Sequence, residues 1–415
     1  MEYYDTYNSE YISALNRKNR HYKIKLELLS KDEKVIGTIV KDLSITAQGQ
    51  LNINNQQLTR RSCSLTLINV DYKYVPSPNN WFWYQRKFKL FIGLIVQNDI
   101  YWWSQGVFYT QSVSADHHDV SIEAIDKGGA LDGTLKTSMT DVKYVCSSGS
   151  NITTLIKDTL KLNMSGESVI SSGDTFCNMS NPIDPIVPII DTRFNKVITQ
   201  ADISVDSNNY IGDLFTELAN GYGADVYYDR NGHLRFTVTA DSNRVDGYKY
   251  MGHQWEYSDN TPYFSGVNYD YSFDGYNAVT VYTNSSTLKN VSYTAYNHNP
   301  LSPLRVDAIG VRRMESQEID YVDVSEEEMQ RKCKNYAEYL LFKESAIKLS
   351  VSFSSPIIPH MDVNRTIGIT DKVIGLNQNT FLVDSLSIPL SAGEMSVTAT
   401  NINWLPYSME IGGMV

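Results

Sequence analysis

The sequence predicts a mainly β fold with α+β insertions: two related β-barrel domains plus a helix-containing middle domain. Three observations carry this. Apolar and polar residues alternate through the first third of the chain, three later segments space their apolar residues as helices do, and fragments near residue 100 recur near residue 380. At about 150 residues per domain, 415 residues make two to four domains, with a core that needs no disulfide or metal staple.

The alternation opens with Tyr22, Ile24, Leu26 and Leu28 between Lys23, Lys25 and Glu27, a half-buried strand. Cys63, Leu65 and Leu67 then alternate with Ser62, Ser64 and Thr66. Phe88, Leu90 and Ile92 follow, and Val107 and Tyr109 lead through Asp116-His117-His118-Asp119 to Val120, Ile122 and Ala124. Short strands separated by turn signals suit a sandwich or barrel. Ile152, Leu155, Ile156 and Leu160 then form the apolar stripe of a short helix, capped by Ser150 or Asn151. Pro182, Pro185 and Pro188 exclude regular helix from the Ser/Asn-rich stretch 165–188, which reads as a long ordered loop.

A second helix is expected over 211–220, with Gly221 at its stop. A hairpin follows, 226–228 and 234–236 flanking Asp229-Arg230-Asn231-Gly232, where Asn-Gly supplies the positive φ a tight turn needs. Strands are expected at 279–282 and 291–293. Ser325-Glu326-Glu327-Glu328 is a capping box opening a third helix, whose face carries Met329, Cys333, Tyr336, Ala337, Leu340 and Leu341. Strands resume at 347–353, 366–369, 381–383 and 395–399.

The repeat rests on order and spacing. Ile92-Gly93 recurs as Ile367-Gly368, Ser112-Val113-Ser114 as Ser385-Leu386-Ser387, and residues 120–124 as 395–399, at offsets of 275, 273 and 275. A nearly constant offset over three fragments in the same order points to an internal duplication. The domains are accordingly drawn as 1–133, an N-terminal extension and first β-barrel; 134–225, a helix and loop middle domain; 226–324, a β-rich domain sharing strands with the second barrel; and 325–415, a helix and the second β-barrel.

Composition narrows the function. A net charge of −11 argues against a general nucleic-acid coat, which neutralises phosphates with basic patches. Only 20% of residues are charged while Tyr alone numbers 29, a balance that favours polar–aromatic interfaces. The start Met1-Glu2-Tyr3-Tyr4-Asp5 lacks the basic and apolar regions of a signal peptide, and the apolar run 90–96 is too brief to cross a bilayer. The four cysteines form no C-x-x-C pair, so the chain is expected in a reducing cytosol.

The search for chemistry is mostly negative. The chain has no G-x-S-x-G, H-E-x-x-H, Walker or dinucleotide motif. His117-His118 reads as an exposed hairpin tip, His360 as a structural loop histidine, and Cys333 as a core thiol. Asp225 with Asp229 and Glu315 with Glu318 are carboxylate pairs of the type a glycosidase needs, in turn or surface contexts. No catalytic, cofactor or metal residues are therefore assigned. The candidate interface is aromatic: Trp81, Trp83, Tyr101, Trp102 and Trp103, readable as a sugar platform or as cross-strand packing and a protein interface, with packing preferred. Tyr269, Tyr271, Phe273 and Tyr276 invite the same choice.

Several segments together resemble tail proteins of phages and prophages of Gram-positive bacteria. They are Arg60-Arg61-Ser62-Cys63-Ser64-Leu65-Thr66-Leu67, Lys87-Phe88-Lys89-Leu90-Phe91-Ile92-Gly93, Ile100-Tyr101-Trp102-Trp103-Ser104-Gln105-Gly106 and Ile125-Asp126-Lys127-Gly128-Gly129-Ala130-Leu131-Asp132-Gly133. Residues 381–390 and 393–400, and the helix with Leu218-Ala219 before the hairpin carrying Asp229 and Gly232, extend the likeness over most of the chain.

The resemblance implies a structural baseplate hub, or tail hub, that is not an enzyme. Three copies would form a ring of six similar barrels, one face matching a six-fold tail tube and the other a three-fold spike or tip. The implied partners are two further copies (a homotrimer), tail tube or tube-initiator proteins, a tail spike or tip protein and a tape measure protein. DNA would be met only in transit through the lumen, with no stable membrane association. The implied location is the virion tail, after synthesis in the host cytoplasm, and no cofactor is implied. The end at Ile411-Gly412-Gly413-Met414-Val415, just after the last barrel-like strand, is expected to leave no room for an added enzyme. Two other readings stay open: a carbohydrate-binding tail adhesin using the Trp and Tyr clusters, and a wall hydrolase.

Overall fold

The computed structural model describes residues 9–43, 47–55, 58–69, 72–77, 82–135, 144–160, 183–199, 203–205, 209–222, 224–238, 253–258, 264–272, 275–284, 290–300, 302, 304–311, 314–319, 325–345 and 348–401. Most of the 165–188 loop, Phe273 and the last residues of the chain lie outside these.

A short helix, α1 (Ser9–Leu15), precedes seven strands: β1 (Tyr22–Leu29), β2 (Val35–Asp42), β3 (Ala47–Asn54), β4 (Arg61–Ile68), β5 (Lys87–Val96), β6 (Asp99–Ala115) and β7 (Asp119–Asp126). The predicted alternation sets their faces: Ile24, Leu26 and Leu28 of β1 and Cys63, Leu65 and Leu67 of β4 are buried. Arg61 falls in the same inward register as Cys63 and is also buried.

The middle of the chain holds β8 (Tyr144–Cys146), α2 (Ile152–Leu160), β9 (Ile189–Ile190), β10 (Ile203–Val205), α3 (Ile211–Gly221), β11 (Ala224–Tyr228) and β12 (Leu234–Val238). Asn151 caps α2, its Oδ1 accepting from the Thr154 N–H at 3.1 Å. The β11–β12 hairpin pairs Val226 with Phe236. Gly232 supplies the positive φ of its turn (+86°), and the Asp229 carboxylate accepts from the N–H groups of Asn231 and His233. Ile156, Phe194, Leu214, Phe215, Leu218 and Phe236 form a second core here.

The chain continues with β13 (Trp255–Tyr257), β14 (Ser265–Ser272), β15 (Ala278–Thr283), β16 (Ser292–Tyr296), a single-turn helix α4 (Val306–Ile309), β17 (Met314–Ile319) and α5 (Glu326–Glu344). Ser325 Oγ accepts from the Glu328 N–H as expected, while the Glu328 carboxylate pairs with Arg331. Met329, Cys333, Ala337 and Leu341 of α5 cover Val279, Val281 and Ala295, which makes a third core. Four strands close the described chain: β18 (Lys348–Ser355), β19 (Thr366–Asp371), β20 (Leu376–Pro389) and β21 (Met395–Asn401).

The main sheet has 13 strands. Its path runs β14-β18-β21-β20-β3-β4-β7-β6-β5-β1-β2, with β19 beside β20 and β13 beside β19. One hydrophobic core spans both halves, from Leu26, Phe88 and Ile122 to Phe353, Phe381 and Val397. The fold class is mainly β with helical insertions, as the sequence predicts. The two β halves are joined edge to edge by an antiparallel ladder from β20 to β3, Leu386 facing Ile53 and Ile388 facing Leu51.

The repeat extends to this topology. The order β3-β4-β7-β6-β5-β1 in the first half matches β14-β18-β21-β20-β19-β13 in the second. Registers match as well: Val113 faces Ile122 as Leu386 faces Val397, and Ser114 faces Ser121 as Ser387 faces Ser396. Both long strands carry a bulge at the corresponding place, between Thr110 and Ser112 in β6 and between Val383 and Ser385 in β20. Cys63 and Val351 each face the equivalent alanine, Ala124 and Ala399. Leu51 and Tyr269 then occupy equivalent places beside them. A bulge bends its strand, so the two long strands are bent at the corresponding place. The halves differ where β1 runs antiparallel to β5 while β13 runs parallel to β19.

Candidate functional site

The chemical candidates resolve into structural roles. Asp116 closes the β6–β7 turn by accepting from the N–H groups of His118 and Asp119, both at 2.7 Å, which leaves His117 and His118 exposed at the tip. Cys333 is buried in the α5 core, and burial raises its thiol pKa. Asp229 holds the hairpin turn and pairs with Arg235 at 2.7 Å; burial pushes its carboxyl up, but the bonds from His233 and Arg235 hold it well below the ordinary range. Glu315 and Glu318 are three apart on β17, so their side chains leave opposite faces. Among the described residues no cluster of His, Cys, Asp and Glu is arranged to hold a metal, and no helix is long and apolar enough to cross a membrane.

The aromatic residues are distributed over both faces of the sheet. Trp81 lies outside the described residues. Trp83 is 40% exposed in the segment before β5. Tyr101 and Trp103 turn inward and pack against the main core. Trp102, between them, turns the other way and lies over Gly93, where any Cβ would meet its ring at 2.6 Å. Lys25 Nζ sits 3.9 Å from the Phe91 ring centroid and 5.4 Å from that of Trp102, so this outer face is a cation–aromatic layer.

The inward pair leads to a dense polar site among the described residues, a buried joint where four parts of the chain meet. Tyr11 of α1 packs its ring, tilted by about 40°, against Tyr101 and Trp103 at centroid distances of 5.6 and 5.7 Å. His360, in the loop between β18 and β19, lies 5.5 Å from Trp103 and 5.6 Å from Trp255. Its Nε2 faces the Gln254 carbonyl at 3.0 Å and therefore donates; its Nδ1 accepts from the Tyr11 hydroxyl at 2.9 Å. Both bonds suit the neutral ring. Burial pushes the His360 pKa down to about 3, against the Gln254 bond that raises it.

Beside this ring the charges converge. Arg61 of β4 places its guanidinium 2.6 Å from the Asp362 carboxylate and donates through Nε to the Gln105 carbonyl at 3.0 Å. Arg230, at the tip of the β11–β12 hairpin, donates to the carbonyls of His360 and Pro359 at 3.0 and 3.1 Å. The Gln105 side-chain amide donates to Pro359 O at 2.8 Å, and Gln254 exchanges two hydrogen bonds with the Asp362 backbone. At the edge of the joint, Asp126 accepts from the N–H groups of Arg60, Arg61 and Gly128. A second buried knot has Lys127 Nζ within 2.7 Å of both Glu33 and Asp184 and 2.9 Å from Gly232 O, with Lys87 also on Glu33.

These groups hold the first half, the hairpin and the second half in a set arrangement. They bind carbonyls and carboxylates of the chain itself, so the joint positions parts of the molecule. Sequence reading missed Arg61, Arg230, Asp362 and Lys127 as a set. The available signal was Arg61 standing in the apolar register of β4, two residues ahead of Cys63.

No family model matches the sequence, and no curated protein is matched by it. Solved structures do share its fold. The 43 kDa tail protein of prophage MuSo2 from Shewanella oneidensis has a TM-score of 0.55 at 13% identity, over 92% of this chain and 98% of that one. The tail protein from Neisseria meningitidis MC58 has a TM-score of 0.54 at 10% identity, over 94% and 99%. A chain of the lidded PdpA–VgrG complex from Francisella has a TM-score of 0.53 at 10% identity, over 95% of this chain and 54% of that one. Over nearly its whole length, this chain has the fold of phage tail proteins.

Proposed function

We propose that the chain is the structural hub of a phage-type tail, three copies forming a ring that joins a six-fold tail tube to a three-fold tip or spike. The observation that carries this reading is the repeat: two β halves of one topology, with matched bulges and registers, held edge to edge in a single chain. Three such chains offer six similar lobes to one side and three-fold symmetry to the other, and closed cyclic symmetry makes a finite ring. The likeness to solved phage tail proteins over more than nine-tenths of the chain supports the same reading.

In this reading residues 1–133, and 325–415 with strands from 226–324, are the ring lobes, and the middle domain from 134 braces them. The partners are further copies, tube or tube-initiator proteins, a tip or spike protein and a tape measure protein, with DNA passing through the lumen. The role is mechanical, in keeping with a buried joint whose polar groups bind the chain's own backbone. The aromatic set Trp81, Trp83, Tyr101, Trp102 and Trp103 serves packing and assembly.

Electron-microscopy class averages of the purified protein, alone and with tail tube protein, test the proposal. Three-subunit rings with six similar lobes are expected. A closed ring of another order, or particles that stay monomeric even with tube protein, overturn it. Zymography on purified cell walls is expected to show no clearing.

A further inference from the structure

The two halves match in topology but differ in how their edges are used. Past its bulge, β20 adds Ser385–Pro389 to β3. Its counterpart β6 has the same bulge and pairs with β5 only up to Tyr109. Among the described strands, the outer edge of β6 from Ser112 to Ala115 carries no ladder, and Ser112, Ser114 and Ala115 are exposed. The complementary strand is also singly used. β3 pairs with both β4 and β20, whereas its counterpart β14 pairs with β18 alone among the described strands.

Equivalent positions make the contrast concrete. Ile53 of β3, covered by Leu386 of β20, is 2% exposed. Its equivalent on β14 is Tyr271, which faces Leu349 as Ile53 faces Arg61, and it is 50% exposed. The same place in the repeat is buried where a strand is added and half exposed where, among the described strands, none is.

We infer that β6 of one copy adds to the edge of β14 of the next copy, antiparallel, in the register β20 and β3 use within the chain. This rests on the hub reading, which supplies the further copies. Val113 then lies opposite Tyr271, Ser114 opposite Asp270, and Ala115 opposite Tyr269. The side chains suit one another. The small Ala115 leaves room for a tyrosine ring, and the Ser114 hydroxyl meets a carboxylate as Ser387 meets the Asn52 carbonyl oxygen at 2.7 Å within the chain. Strand addition satisfies the backbone donors and acceptors of both open edges. The contact joins two different surfaces, head to tail, and repeats until the ring closes. Around a trimer, three seams within chains alternate with three between them.

The test is disulfide trapping across the seam. Chains carrying Ser114→Cys are mixed at high concentration with chains carrying Asp270→Cys under mild oxidation, with the parent protein as a control for its own four cysteines. A second control pairs Ser114→Cys with Tyr271→Cys, one residue out of register with its side chain on the opposite face. The inference expects a reducible dimer at twice the 47.0 kDa chain mass from the in-register mixture alone. It also expects a covalent trimer from chains carrying both Ser114→Cys and Asp270→Cys. Absence of the in-register dimer overturns the strand pairing, as does equal trapping by the out-of-register control. Native mass then separates the two failures: a trimer without trapping leaves the hub reading standing and sinks only this seam, while a chain monomeric even with tube protein sinks both.

Discussion

Arg61 and Asp362 stand 301 residues apart in sequence, and their side chains meet at 2.6 Å, with Arg230 Nε 3.9 Å from the other carboxylate oxygen. Arg61 belongs to the first β half, Asp362 to the second and Arg230 to the hairpin, so one carboxylate ties three parts of the fold. Their side chains are 3%, 14% and 6% exposed. Removing one member of such a pair leaves a buried charge uncompensated, at a cost of about 3–5 kcal/mol. Asp362→Asn is expected to lower the urea midpoint by a loss of that order. Arg61→Met with Asp362→Leu is expected to cost less than the two single changes added together. Additive losses in this double-mutant cycle would show that the pair does not couple the halves.

Asp362 also sets an acid limit. Burial pushes its carboxyl up, but the charges of Arg61 and Arg230 outweigh this and hold it below the ordinary range. A depressed carboxylate contributes stability that is fully present above its unfolded pKa of about 3.9 and is lost as pH falls through the lower folded value.

His360 gives a separate and earlier pH dependence. Its folded pKa is pushed down to about 3 by burial, whereas an unfolded histidine titrates near 6.5. The unfolded state therefore takes up a proton first as pH falls. The neutral ring's contribution is complete above about pH 6.5 and declines below it, with a limiting slope of about 1.4 kcal/mol per pH unit until the folded value is reached. Burial pushes the Asp126 carboxyl up to about 7, so the folded state also holds a proton between pH 6.5 and 4.5 and offsets this slope in the parent; the His360 contribution is read from the difference between parent and variant. In His360→Gln the midpoint at pH 7 is expected to be lower, and on acidification through this window it is expected to rise relative to the parent's. A parental slope in the variant would assign the dependence to another group.

Lys127 offers a test of charge balance. It sits with Lys87, Glu33 and Asp184 in one buried knot of two cations and two carboxylates. Lys127→Met leaves two carboxylates facing one ammonium, a loss of about 3–5 kcal/mol. Adding Asp184→Asn restores the balance, so the double variant is expected to be more stable than Lys127→Met alone. Thermal melts of the two variants decide it: a double variant that melts lower than Lys127→Met would show that the contacts to Asp184 and Gly232, and not the count of charges, carry the knot.

How much of this was legible in the sequence depended on contrast between the two sides of each element. β1, β4 and β7 bury one face, so their alternation was plain, and α2, α3 and α5 each carry one apolar stripe. β2 escaped because it ends the sheet: Val35, Ile36 and Val40 are exposed there, and the apolar residues mark no inner face. β3 escaped because its outward residues are Gln48, Gln50 and Asn52 and its centre holds Gly49, so it looks like a polar loop. Gly49 is required there: at φ +138° any Cβ would lie 2.0 Å from the Ser64 carbonyl oxygen. The repeat was visible in three short fragments because β5, β6 and β7 kept their spacing. Its full extent was hidden, since β3 and β14 correspond at a different offset and share almost no residue types. The buried joint was unreadable for a simpler reason: its partners lie as far apart as Tyr11 and His360. Only the fold brings them together, and a charged residue in an inward register was the one local sign.

Trp102 and Trp103 are neighbours with opposite surroundings, and that difference is measurable. Trp103 packs against Tyr11 and His360 in the joint, while Trp102 covers Gly93 and meets Lys25 on the outer face. Truncating a packed tryptophan to alanine costs about 3–5 kcal/mol. Losing an outer cation–aromatic contact costs about 0.5–1 kcal/mol. Trp103→Ala is therefore expected to lower the urea midpoint more than Trp102→Ala. The same pair separates assembly from sugar recognition. An adhesin that stacks sugar on this strand would lose saccharide binding in Trp102→Ala with its fold intact. The structural reading expects no saccharide binding to lose, by titration of wall-derived oligosaccharides against parent and variant alike. Equal destabilisation by the two truncations would contradict the two-faced placement of these rings, and saccharide binding by the parent that Trp102→Ala abolishes would favour the adhesin.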